Sequence, residues 1–329
     1  MKKVLQYVIS LAVAVGLLWF VFKDIDLNAL WEKIKQADYR WVGLSGVLAL
    51  VAHWSRAYRW VLMLEPLGYK PSVFRTTLAV LVGYLANLVF PRAGEFARCG
   101  TLNKLEDIPF EKSFGAVVAE RIADVLVLLV LIIVNLFLEF DRLSTFFFNF
   151  FGNKFKNPIL LLGIGTALLI LAVMAYFTFK RNIDKISKLP LYQKISGFIG
   201  GLASGFLSVR NLKNPMGFVF HTVFIWTLYY ITTYVLCFAL PETANLSPLA
   251  ALTIFVMGSI GMAAPTQGGI GSYHFLVGSI VVLYGLSEQD GITLATFLHA
   301  MQGLFFVVLF GITAFLLSFI LPKKKAEIV

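Results

Sequence analysis

Three acidic and three basic side chains sit where an apolar chain should carry none. In "FGAVVAERIADVLVLL", Glu120 and Asp124 stand one helical turn apart on one face, with Arg121 three residues before Asp124. In "NLVFPRAGEFARCG", an apolar run breaks at Pro91 and is followed at once by Arg92, Gly94, Glu95 and Arg98. If the backbone restarts as a helix after Pro91, its free N–H groups and partial positive charge face the turn. Arg92 and Arg98 beside that terminus would suit a phosphate group, because a guanidinium grips phosphate oxygens in a two-pronged fork. Glu95 and Arg98 could pair on one face. Charges at membrane depth cost several kcal/mol against lipid, so Glu120, Arg121 and Asp124 must face the interior, with Arg92 and Arg98 as their expected partners. Substrate contact, proton relay and plain salt-bridge support all remain open for them.

Other polar positions are weaker signals. "HWSRAYRWVLML" places Arg56 and Arg59 towards the end of an apolar segment, where snorkelling to headgroups accounts for them. His53, a turn deeper, reads as a hydrogen-bonded interior residue. A second break, "APTQGGIGSYHF", offers Pro265, Gln267, Gly268 and Gly269 for a tight turn, and His299 and Gln302 lie three apart further on. These residues, with Pro91 and Gly94, are the expected gating or cavity-lining positions. The glycine-rich stretch lacks the lysine of a phosphate-binding loop and follows no strand. Tyr229, Tyr230, Tyr234 and Trp226 fit packing between helices. Four scattered histidines without HxxxH or HExxH spacing predict no metal site. Cys99 and Cys237 form no ligand spacing. No nucleophile–base pair, nucleotide loop or catalytic acid pair is evident, so neither an enzyme nor a cofactor is expected.

The elements that must position these residues are membrane helices. The 329-residue chain is 59% hydrophobic and 14% charged, against about a quarter charged in a soluble domain. Apolar segments fall at about 4–22, 41–62, 76–90, 113–138, 158–179, 215–240, 248–264, 268–286 and 292–321. The first follows Lys2 and Lys3 and is too long for a signal peptide's apolar core, so an uncleaved span is expected. Between the first two, Leu27, Leu30, Trp31 and Ile34 recur at helical spacing and predict a short surface helix. The net charge of +10 is spread over loops and argues for topogenic and lipid-headgroup roles, with no nucleic-acid partner. Residues 1–329 are expected to form a single membrane domain.

The basic loop at 180–213, Lys323–Lys325 and Lys2–Lys3 place both termini on the cytoplasmic side of the cell membrane, a bacterial inner membrane in this reading. Counting crossings, 76–112 must begin and end in the cytoplasm, yet its return limb is too polar to span lipid. A re-entrant hairpin turning at Pro91 satisfies both conditions. "GYLANLVFPRAGEFAR" and "GSIGMAAPTQGGIGSY" share a glycine seven or eight residues before proline and another three after it. The second unit, 248–286, begins and ends on the outer side by the same count. The predicted fold class is therefore an all-α polytopic integral membrane protein with two inverted repeats. One half spans about 41–138 with its re-entrant 76–112, the other about 215–321 with its re-entrant 248–286. Inverted repeats with broken elements meeting at mid-depth are a recurrent plan of transporters.

"YRWVLML…LGY", "GYLANLVFPRAGEFAR", "AERIADVL" and "APTQGGIGSYHFL" resemble the transmembrane domain of the lysylphosphatidylglycerol synthase family over roughly residues 40–320. That domain is the flippase part of the bacterial multiple peptide resistance factor, and it also occurs alone. The resemblance implies a phospholipid-translocating domain built from two re-entrant halves. Synthase members carry a soluble aminoacyl-transferase domain at their C-terminus. This sequence ends at Val329, shortly after the last helix, so lipid aminoacylation is not expected of it. The favoured reading is a flippase or scramblase-like transporter with a membrane phospholipid as partner. Its headgroup would pass Arg92, Glu95, Arg98, Glu120, Arg121 and Asp124. The alternative is a membrane transferase acting on polyprenyl phosphate or another lipid-linked phosphate. A third is a structural subunit for a separate lipid-modifying enzyme.

Overall fold

The computed structural model describes residues 19, 22–23, 26–90, 93–144, 212–264 and 266–328. Most of the first expected span, the span at 158–179, the 189–211 stretch and nearly all of the basic loop lie outside these residues, as do Pro91, Arg92 and Pro265. What is described is almost entirely helical. Asp26 caps α1 (Leu27–Lys35) by accepting from the Asn28 and Ala29 amides. Leu30 of α1 is buried while Leu27 and Trp31 stay exposed, as a helix lying on a surface requires. Asp38 caps α2 (Tyr39–Leu64), whose 26 residues rise about 39 Å.

Next come α3 (Val73–Val89) and α4 (Gly94–Glu106), then α5 (Phe110–Leu138). The second half holds α6 (Pro215–Cys237), α7 (Pro248–Ala263), α8 (Ser272–Ile280) and α9 (Glu288–Ile320). Among the described residues, α5, α6 and α9 are long and apolar enough to cross a bilayer. The chain is a multi-pass membrane protein. The exposed faces of these helices carry Ile133, Phe137, Val223 and Phe319, which suit contact with lipid. Helix α2 is equally long but carries Arg56 and Arg59 on its buried face.

Helices α3 and α4 form a tight hairpin where the sequence breaks. A Cβ at Gly94 would come within 2.3 Å of the Gly83 carbonyl oxygen, so only glycine lets the two limbs approach this closely. The Asn87 side chain accepts from the Gly94 amide at 2.7 Å and satisfies one donor left free at the new helix start. The second hairpin joins α7 to α8 through Gly268, Gly269 and Gly271, all at positive φ. Ser272 Oγ closes it by donating to Gly261 O at 2.7 Å. The turn at 267–269 touches α3.

The two hairpins open towards opposite ends of α2. At its C-terminal end, β1 (Tyr69–Lys70) pairs antiparallel with β2 (Glu327–Ile328). There the Lys324 and Ala326 amides bond the Leu105 and Glu106 carbonyls at 2.9 Å. Arg75 donates to Leu105 O at 2.7 Å, and Lys323 meets Asp107 at 2.6 Å. Both limbs of the first hairpin therefore end beside the last helix. At the other end, the Asp38 amide bonds Ala239 O at 2.8 Å, and Lys33 of α1 bridges Glu242 at 3.1 Å and also pairs with Asp290. The second hairpin starts and finishes there, between Leu246 and Ser287. Within the described residues, expected segments and observed helices agree to within a few residues, except that the return limb starts at Gly94 and ends at Glu106.

Candidate functional site

The interior charges converge on Glu120. Helix α5 must turn Glu120 and Asp124 inwards because its opposite face beyond the first turn is apolar, and the one-turn spacing stacks the two carboxylates. Glu120 is fully buried. It accepts from Arg98 of α4 at 2.6 Å, Arg56 and Arg59 of α2 at 2.9 and 3.0 Å, and its neighbour Arg121 at 3.2 Å. Asp124 takes Arg59 at 2.8 Å, Arg56 at 3.1 Å and Arg121 at 3.4 Å, with the Trp226 indole N–H at 3.4 Å. Among the described residues, four guanidinium groups thus face two carboxylates, a formal excess of two positive charges.

Uncharged groups complete the setting. Arg59 also donates to Thr222 Oγ1 at 3.1 Å, and Arg56 Nε to the Tyr229 hydroxyl at 3.1 Å. The Arg98 guanidinium lies over the Trp60 ring, 4.5 Å from its centroid. Burying charges at this density is tolerable because both carboxylates are bonded by several guanidinium N–H groups, although the Nε–H groups of Arg59, Arg98 and Arg121 find no acceptor among the described residues. Helices α2, α4, α5 and α6 all contribute, so the cluster couples the first hairpin to the bundle.

A cavity of about 560 Å³ opens beside the cluster. Arg56, Arg121 and Asp124 form its charged end, and Arg121 is 41% exposed there. Asn87 and Leu88 reach it from the first hairpin, and Gly268 from the turn of the second. Gln302, Gly303 and Phe306 of α9 line the far wall. Between His299 and Phe305, α9 widens into a π-helical turn, and His299 Nε2 donates to Gly268 O at 2.9 Å. The two broken elements therefore meet at one cavity.

Of the expected binding residues, Arg98, Glu120, Arg121 and Asp124 come together. Glu95 is half-buried in the first turn of α4 but takes no part in the cluster's ion pairs, and Arg98 turns to Glu120 instead of to it. Arg92 and Pro91 lie outside the described residues; beside Arg98 and Arg121, the described arginines of the cluster are Arg56 and Arg59. Arg56 and Arg59 are corrections: both are buried, at 3% and 0% exposure, and neither snorkels. Arg59 lies five residues before the helix end at Leu64, about 7 Å along the axis, and the carboxylates of α5 hold both side chains inwards. The signal for them was their three-residue spacing, which puts both guanidiniums on the face α5 needs. Tyr229 and Trp226, expected only to pack, hydrogen-bond the charged groups. Of the gating positions, Gly268 and Gln302 line the cavity and His299 holds the Gly268 carbonyl. Gly94 and Gly269 sit at the hairpin turns, the Gln267 side chain is not described, and Pro265 lies outside the described residues. Among the described residues, no group of three His, Cys, Asp or Glu side chains could hold a metal.

Comparison with known proteins gives one family. The lysylphosphatidylglycerol synthase TM region matches residues 7–311. The UPF0104 membrane protein MJ1595 of Methanocaldococcus jannaschii is 25% identical over 193 residues, 56% of this chain and 55% of that protein. Glycosyltransferase AglD of Haloferax volcanii is 30% identical over 103 residues, 31% of this chain and 16% of that protein. The chain thus spans about half the length of the first relative and under a fifth of the second. No solved structure matches it.

Proposed function

The chain belongs to the lysylphosphatidylglycerol synthase TM family, and from that premise we propose that it is a lipid flippase or scramblase-like transporter. It moves a phospholipid, or a related lipid with an anionic headgroup, between the leaflets of the cell membrane. The observation that carries this reading is the cluster itself: a buried positive excess at the edge of a cavity reached by both hairpin turns. A phosphate would supply the missing negative charge and accept from the guanidinium forks. The acyl tails stay in lipid while the headgroup passes the cluster. Both hairpins are re-entrant in this reading, and their opposite openings are the inversion expected of alternating access. The end bearing Arg75, Lys104 and Lys323 faces the cytoplasm, with α1 on the outer surface. The protein itself performs no bond chemistry.

Reconstitution into vesicles carrying a fluorescent phospholipid tests this. Quencher added outside should reach the inner-leaflet label in protein-containing vesicles and not in empty ones. Equal protection in both would reject the transporter. The match to part of a glycosyltransferase favours one alternative, a transferase acting on a lipid-linked phosphate held by the same arginines. Product formed by purified protein from lipid phosphate and a sugar donor would support it.

A further inference from the structure

The cavity has a charged end and a neutral polar wall. At the charged end, donors are in excess: the Nε–H of Arg121, which lines the cavity, is buried with no acceptor among the described residues, as are those of Arg59 and Arg98 behind it. On the cavity wall away from it, the hydroxyls of Thr232, Thr233 and Ser259 have each donated their proton to a helix carbonyl. Thr232 and Thr233 bond Tyr229 O at 2.8 and 3.1 Å, and Ser259 bonds Phe255 O at 2.8 Å. Thr233 Oγ1 already accepts from Gln302 Nε2 at 3.4 Å, so for an occupant this wall offers the lone pairs of Thr232 and Ser259 beside the amide of Gln302, a neutral set that suits a group able both to donate and to accept. Among the described residues, Asp124 is the one acidic residue lining the cavity, and it is already engaged by three arginines.

Resting on the headgroup reading above, we infer that the lipid this site selects carries a net negative phosphodiester bearing a hydroxylated, uncharged substituent, of the phosphoglycerol or glycosyl-phosphate kind. The phosphate faces the guanidinium excess. Its hydroxyls donate to the lone pairs of Thr232 and Ser259 and accept from the Gln302 amide. An aminoacylated headgroup, whose ammonium groups outweigh its phosphate, brings like charge against the cluster's excess of two. Such a juxtaposition costs more than a tenfold change in affinity. The selectivity therefore runs opposite to that of a carrier for cationic lipids.

Translocation by the full chain in vesicles, compared across four labelled lipids, separates charge from hydroxyls. These are phosphatidylglycerol, phosphatidylethanol (equally charged, no hydroxyl), phosphatidylcholine and lysylphosphatidylglycerol. The expected order is phosphatidylglycerol first, at least threefold faster than phosphatidylethanol and at least tenfold faster than the other two. A lysyl lipid moved as fast as phosphatidylglycerol overturns the charge argument while leaving lipid translocation intact. Equal rates for phosphatidylglycerol and phosphatidylethanol overturn the hydroxyl argument. If no lipid moves, the transporter reading falls and this inference with it. Uptake of radiolabelled glycerol phosphate without lipid movement would assign the site to a soluble phosphate ester and overturn the lipid.

Discussion

Replacing Glu120 with glutamine removes one charge and keeps the shape. Its carboxylate accepts from four arginines between 2.6 and 3.2 Å and is fully buried. Without it, four guanidiniums face Asp124 alone, and the positive excess rises from two to three. Removing one member of a buried ion pair costs about 3–5 kcal/mol. Repulsion between the released arginines points the same way, since unit charges about 5 Å apart interact by about 3 kcal/mol at an effective dielectric of 20. At roughly 2–4 °C per kcal/mol, the expected fall in thermal midpoint is about 6–20 °C. Thermal unfolding in detergent, followed by size-exclusion recovery, reads it. Glu95→Gln, outside the cluster, should stay within about 2 °C of the parent, in keeping with the small effects of substitutions away from buried networks. Adding Arg98→Gln to Glu120→Gln should cost less than the two single changes summed, by at least about 1 kcal/mol. A Glu120→Gln midpoint within about 2 °C of the parent, or strict additivity with Arg98→Gln, would refute the reasoning, since either means the cluster is not the coupled unit described.

Three further outcomes are expected. Gly83→Ala would push a Cβ to 2.8 Å from Gly94 O and 3.0 Å from Arg98 Cβ, spreading the first hairpin at a cost of about 1–3 kcal/mol; a midpoint unchanged from the parent would mean the limbs are not held this closely. Arg59→Lys keeps the charge but cannot reach Glu120, Asp124 and Thr222 together, so transport should fall at least tenfold with lysine no better than glutamine. The Lys323 ammonium, by hydrogen bond and charge, holds the Asp107 carboxyl below the usual carboxylate range. A depressed pKa contributes stability above the unfolded value of about 3.9 and loses it as pH falls through the folded value. Exchange protection at the Lys324 and Ala326 amides should therefore exceed that of Asp107→Asn from pH 7 down to about 4 and converge below it; convergence already at pH 6 would contradict the pairing.

Much of this arrangement was legible in the sequence, and the failures have a physical pattern. Proline and glycine punctuation located both hairpins, because backbone breaks leave local marks that survive any tertiary context. The stacked pair Glu120 and Asp124 was visible for the same reason: one-turn spacing in an apolar helix admits only an inward face. What sequence could not supply was the choice of partners across helices. Arg56 and Arg59 read as snorkelling residues because the distance to the interface depends on where α2 ends and on what α5 presents. Glu95 was assigned to the site on proximity in sequence, yet Arg98 finds a deeper and better acceptor in Glu120. The roles of Tyr229 and Trp226 were hidden likewise, since one helical register buries a hydroxyl in apolar packing and another aims it at a guanidinium.

The central claim is that the positive excess beside the cavity receives the lipid phosphate. Arg121 is the member to change, because at 41% exposure it faces the cavity and contributes least to burial. The measurement is the rate of phosphatidylglycerol translocation by reconstituted Arg121→Gln protein whose thermal midpoint matches the parent. A fall of at least tenfold is predicted. A parental rate would contradict the account, leaving the cluster as an internal brace and the headgroup path elsewhere.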